Sequence, residues 1–281
     1  MAIANSRING ATHSRSRVPL PHAVRAAAVG IAPILLLYAL YTLLRWTFIN
    51  RAAIVGDHNA NRVLEFERSL SLDQELWLQH HVVEHGAAVW FVNHYYVFAF
   101  FPMLVVGALL AAVRAPRAFH YWRTTFIVSL GLALAGFALF PLTPPRLLPN
   151  LGFVDTLMLR GPRYYGDEGG ASIFNAYGSI PSMVNEYAAM PSMHVGWSAI
   201  AGALLVAAVP ARRWMMGLAV LHVAIMQIAV VATGNHYLID GFAGLLVVLI
   251  AARIATRLVP LQWATRNESH RARPGIPASG D

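Results

Sequence analysis

Two histidines stand where their neighbours suit chemistry. His236 lies in Gly234-Asn235-His236-Tyr237-Leu238-Ile239-Asp240, four residues before Asp240. At helical spacing the two side chains share one face. A carboxylate beside an imidazole can accept the Nδ1–H bond, fix the tautomer and leave Nε2 free to attack. His194 closes Pro191-Ser192-Met193-His194. Ser192 is a good N-cap. His194 then falls in a first helical turn, where backbone N–H groups and the helix dipole attract anions. Arg146 closes Thr143-Pro144-Pro145-Arg146. The prolines stiffen the backbone there, and a guanidinium matches phosphate oxygens in a bidentate way. Such a set suits a two-step phosphoryl transfer. One histidine attacks phosphorus, the other protonates the leaving oxygen, and the arginine offsets charge on the equatorial oxygens. Ser192 and Asn235, beside the histidines, join Arg146 as expected substrate-binding residues. Each feature also has a plainer reading: a polar helix cap, a surface histidine, an arginine that snorkels to headgroups. Arg160 and Arg163 are weaker candidates of the same kind as Arg146.

The elements that must hold these residues are apolar helices. Hydrophobic residues make up 57% of the 281 and charged residues only 12%. A chain with so few charges cannot cover a soluble surface. Six stretches are long and apolar enough to span a membrane, or nearly so. They run over about Ala26–Ile49, Ala87–Val113, Tyr121–Leu142, Met193–Pro210, Trp214–Ala232 and His236–Ile254. The first is too long for a signal-peptide core. The expected fold is an all-α, integral membrane six-helix bundle over residues 23–258. Polar tails at 1–22 and 259–281 read as disordered.

Charge sets the orientation. The net charge is +8, and all 21 basic residues are arginine. Groups of arginines precede the first span, join the second to the third, join the fourth to the fifth and follow the sixth. With six spans these groups share one side, which is the cytoplasmic one. Both termini are then cytoplasmic, and Arg146, His194 and His236 share the other face. The expected location is the plasma membrane of a bacterium. The arginines are scattered at span ends and form no stripe, which argues against a nucleic-acid partner.

Residues 61–81 read as one further helix with Val63, Leu64, Phe66, Leu70, Leu76 and Trp77 on an apolar side. It either lies in the membrane interface or packs across the bundle. The absence of cysteine excludes disulfides and thiolate chemistry. His80, His81, His85 and His94 cluster without a His-Glu-x-x-His spacing, so no metal ligand is assigned. His222 and the remaining histidines read as termini, loops or helix ends.

Pro-Ser-Met-His, followed about 40 residues later by His-x-x-x-Asp, resembles the type-2 phosphatidic acid phosphatase superfamily. The resemblance covers about residues 90–255. It implies a six-helix membrane enzyme without a metal cofactor. It also implies that His194 is the general acid, His236 the nucleophile and Asp240 its orienting carboxylate. The family's second motif, Pro-Ser-Gly-His, here has Met193 for glycine. The Ser-Arg of the third motif would fall at Ala229 and Val230, and the lysine of the first at Leu139. Pro-Pro-Arg, Pro-Ser-Met-His and Thr-Gly-Asn-His-Tyr-x-x-Asp together resemble the branch that includes inositol phosphorylceramide synthases. That branch implies a lipid phosphoester substrate and a hydroxyl acceptor on a lipid or polyol. A phosphatase using water on a polyprenyl or phosphatidyl phosphate is the nearest alternative. A lipid transporter or scramblase without catalysis is the alternative of another class.

Overall fold

The computed structural model describes residues 36, 39, 43, 54–148, 150–159, 186–209 and 212–259. The two tails, except Val259, and the first expected span, except helical Leu36, Ala39 and Leu43, lie outside the described residues, as do Arg160 and Arg163. The described residues form eight α-helices and no strand; an isolated bridge joins Leu142 to Ala188. The helices are α1 (residues 54–69), α2 (Glu75–Val83), α3 (Gly86–Phe98), α4 (Phe100–Arg114), α5 (Pro116–Leu139), α6 (Met193–Ala208), α7 (Arg212–Ala232) and α8 (Leu238–Leu258). Single 3-10 turns occupy Pro145–Leu147 and Thr156–Met158.

Helices α5, α7 and α8 are long and apolar enough to cross a membrane. Helices α3 and α4 make a fourth span if taken as one, but they bend by 45° at Ala99. The sequence reads as one continuous helix here. Pro102 supplies the reason for the break: it has no N–H for the Phe98 carbonyl, and its ring crowds that turn. Helix α6 is apolar but has only 16 residues. At about 1.5 Å per residue it is shorter than the hydrocarbon core. The outward faces carry Leu109, Val113, Leu139, Val220, Phe242 and Leu249, all exposed. Large side chains left bare in this way suit a lipid solvent, and the chain is a membrane protein.

Helix α6 is the hub. It packs on α4, α5, α7 and α8. Lipid gives helices no hydrophobic reason to associate, so small residues and internal hydrogen bonds must hold them. Gly107 of α4 meets Ala201 and Leu204, Gly202 meets Ala219 of α7, and Gly196 meets Gly244 of α8. The Trp197 indole donates to Ser129 of α5 at 3.1 Å, and the Tyr121 hydroxyl to the Ala252 carbonyl at 3.1 Å.

The single helix expected over residues 61–81 is two. Helix α1 ends in a Schellman motif: Leu72 N–H returns to the Glu67 carbonyl and Ser71 N–H to that of Arg68, with Ser71 in the left-handed region at φ 56°. The chain turns and α2 begins. Val63 and Leu64 are buried against Leu142, Ala189 and Tyr237, but Phe66, Leu70 and Trp77 are exposed. Of the two expected roles, packing across the bundle fits α1. Helices α1 and α2 thus cap the end of the bundle where α6 and α8 start.

Candidate active site

The site is built around the start of α8. That helix begins at Leu238, two residues later than the spacing of His236 and Asp240 suggests. Asp240 sits third in the helix, and its Oδ2 accepts the N–H of the N-cap residue Tyr237 at 2.9 Å. An acid at this position satisfies an otherwise orphaned amide and so fixes where the helix begins. His236 therefore lies in the turn, not on a helical face shared with Asp240. The two still meet. His236 Nδ1 is 3.3 Å from Asp240 Oδ2 and 2.7 Å from the carbonyl of Ala189. Both are acceptors, so the proton sits on Nδ1 and Nε2 keeps its lone pair. The backbone carbonyl is the shorter partner, and no side-chain pattern announces it.

The ring of His236 is buried, with 5% exposure. It lies in the turn outside the spanning helices. Burial lowers its pKa to about 4 against the opposing pull of the Ala189 carbonyl, and the positive charge of Arg146 lowers it further. At neutral pH the imidazole is uncharged, the form that can attack.

His194 stands in the first turn of α6, as expected. Its ring centroid is 5.9 Å from that of His236, at 63°. Tyr96 stacks on it at 4.4 Å and Phe100 meets it edge-on at 4.8 Å. Ser192 is the N-cap residue but makes no capping bond, and its Oγ is buried with no partner among the described residues. The Ser192 N–H donates to the Asp240 carbonyl at 2.8 Å, which ties the starts of α6 and α8 together. Two glycines permit this closeness. A Cβ on Gly244 would stand 2.0 Å from the Ser192 carbonyl oxygen, and one on Gly196 would stand 2.8 Å from the Gly244 carbonyl.

Arg146 sits in the Pro145–Leu147 turn, held on both sides. Its backbone N–H donates to the Gly234 carbonyl at 2.9 Å. Its Nε donates to Asn235 Oδ1 at 2.9 Å, and Nη1 pairs with Asp155 at 3.1 Å. The arginine is thus fixed beside the residue that precedes His236. Asn235 spends its carbonyl oxygen on Arg146 and its amide on Thr233 Oγ1 at 3.0 Å. In this arrangement Asn235 orients the arginine.

Several residues of the site carry no signal in the sequence. Gln79 of α2 bonds the Val154 backbone through both amide atoms and also the Ala232 carbonyl. Asn93 and Thr156 bond reciprocally at 2.9 and 2.7 Å. These bonds fasten the segment carrying Arg146 and Asp155. Glu67 and Glu75 are both buried and accept the N–H groups of Ile239 and Leu238 at 2.8 and 3.0 Å. Gly196 and Gly244 could have been found, since they recur two residues after His194 and four after Asp240. The other histidines differ from expectation in part. His222 is no helix end: it is buried midway along α7 and bonds the Tyr95 hydroxyl at 2.5 Å. His81, His85 and His94 each turn Nδ1 to the carbonyl four residues back. Among the described residues no group of three His, Asp or Glu side chains is placed to hold a metal ion.

The PAP2 superfamily model matches residues 61–254, most of the chain, and the protein belongs to the PAP2 superfamily. No curated protein and no solved structure gives a significant match. Members of the superfamily are phosphatases, and membership gives this chain a phosphatase-type activity on a lipid phosphoester.

Proposed function

We propose that the protein transfers the phosphoryl group of a lipid phosphoester through a phosphohistidine on His236. The observation that carries this reading is the double hold on His236 Nδ1 by Ala189 and Asp240, which leaves Nε2 as the attacking atom beside His194. In the first step Nε2 bonds to phosphorus and the phosphorus–oxygen ester bond breaks. His194 gives its proton to the departing oxygen. In the second step a hydroxyl enters, gives its proton back to His194 and attacks the phosphorus. The nitrogen–phosphorus bond then breaks and His236 is restored. Arg146, fixed by Asn235 and Asp155, offsets charge on the phosphoryl oxygens, and the unpartnered Ser192 hydroxyl donates to one of them. No step calls on a metal ion.

The entering hydroxyl belongs to a lipid or polyol in this proposal, which sets the protein beside the inositol phosphorylceramide synthases. The support is the motif set Pro-Pro-Arg, Pro-Ser-Met-His and Thr-Gly-Asn-His-Tyr-x-x-Asp, and an arginine supplied at residue 146 where Val230 leaves the other position apolar. The distribution of arginines supports six spans, cytoplasmic termini and a site on the opposite face.

Radiolabel transfer from a phosphate-labelled lipid to purified protein tests the intermediate. Label should accumulate on wild type and be absent on His236→Ala. Turnover by His236→Ala at the wild-type rate would sink the assignment. Comparing products with and without an added polyol separates transfer from hydrolysis. Labelling of residues 143–190 from the cytoplasmic side would overturn the proposed orientation.

A further inference from the structure

The N-terminus of α8 is held by three carboxyl groups from three helices. Asp240 accepts the amide of Tyr237, Glu75 of α2 accepts that of Leu238, and Glu67 of α1 accepts that of Ile239. A helix dipole attracts one negative charge. Three within one turn, all buried, repel each other strongly. Glu67 and Glu75 are also within hydrogen-bond reach of each other, which two ionised carboxylates do not tolerate. Glu67 Oε2 is buried and accepts no hydrogen bond from any described donor. An anionic oxygen there would be unsatisfied, whereas a protonated Glu67 can donate to Glu75.

We infer that Glu67 and Glu75 share one proton, and that this acid pair is the positioning element that sets the start of α8, and with it His236 and Asp240. Together with Asp240 the pair occupies the amides of Tyr237, Leu238 and Ile239, which closes them to a phosphate. The substrate must be met by Arg146, Ser192 and the start of α6. The proton sits on Glu67. Its pKa rises to about 9 through burial, through its hydrogen bond with Glu75 and through the negative charge of Glu75 and Asp240, against the lowering bond from Ile239. The titratable groups facing it are Glu75 from α2 and Asp240 and Tyr237 from α8.

Stability depends on this proton in one direction. The folded state keeps the Glu67 proton up to about pH 9, whereas an unfolded glutamate loses it near 4.5. The stability this proton supplies is complete below pH 4.5, declines as pH rises, and is gone above about 9.

The test is melting of the detergent-solubilised full chain across pH, for wild type, Glu67→Gln and Glu67→Leu. Glutamine keeps an acceptor for Ile239 and a donor for Glu75 but cannot ionise. The difference between wild-type and Glu67→Gln melting curves should show a decline in wild type that ends near pH 9. Parallel curves for the two proteins would overturn the shared proton. The activity arm rests on the proposed function: Glu67→Leu should lower kcat roughly tenfold with KM changed less than about twofold, and Glu67→Gln should restore most of the loss. Wild-type kcat in a folded Glu67→Leu would overturn the positioning role. If Glu67→Leu does not fold, a Glu67→Gln kcat as low as that of His236→Ala overturns it instead. The melting arm needs no turnover, so it decides the shared proton even if the substrate reading fails.

Discussion

The two histidines lie 5.9 Å apart but are held in opposite ways. His236 is pinned by polar bonds, with a backbone carbonyl and a carboxylate on one nitrogen, an arginine-bound asparagine just before it and an acid-capped helix just after. His194 rests between the rings of Tyr96 and Phe100, at the edge of the apolar bundle. The difference matches the proposed tasks. A nucleophile must present one nitrogen in one tautomer, and hydrogen bonds fix both. A group that gives and regains a proton needs position but no single tautomer, and ring packing supplies position alone.

Substitutions can break or sharpen this contrast. The largest effect is expected from His236→Ala, a loss in kcat of about 10⁴-fold or more, since it removes the bonding atom. His194→Ala should cost about 10³-fold on an alkyl phosphoester, within the usual range for a general acid. With a nitrophenyl leaving group, which needs no proton, the His194→Ala defect should shrink to about tenfold, while the His236→Ala defect stays. An equal rescue of both variants would mean that the roles are not divided this way.

Asp240→Asn should cost only about 10²-fold, because the Ala189 carbonyl still holds Nδ1–H. A loss as large as that of His236→Ala would place the tautomer in the hands of Asp240 alone. The rate of phosphohistidine formation in wild type should fall about tenfold per pH unit as pH drops below about 4, as His236 takes a proton on Nε2. The same group makes the folded state bind fewer protons than the unfolded one between about 4 and 6.5, so its contribution to stability rises with pH there. Stopped-flow labelling and melting read the two effects separately. The smallest change is expected from Tyr96→Leu, about threefold in kcat, because it loosens one wall and leaves Phe100 against the imidazole.

The sequence carries the long apolar helices well. The apolar stretches read as Trp214–Ala232 and His236–Ile254 appear as α7 and α8 with ends shifted by a few residues. It misses the break at Ala99, because hydropathy does not register the amide that Pro102 lacks. It misses the division of residues 61–81, because Ser71 takes a left-handed conformation that usually signals glycine. The histidine pair, Asp240 and Arg146 were legible as residue types at telling spacings. Their partners were not. Ala189, Asp155, Glu67, Glu75 and Gln79 lie far from them in sequence or are generic in type.

The sequence by itself determined that this chain lives in a membrane and which imidazoles face one end of its helices. Apolar run length and charge placement are local properties, and lipid reads them directly. Only the tertiary structure decided how those imidazoles are held. The tautomer of His236 rests on a carbonyl 47 residues away, and the distance between the rings rests on two glycines letting α6 and α8 touch. A backbone carbonyl has no residue identity, and a close approach needs two chains to meet. Neither can be written in a local pattern.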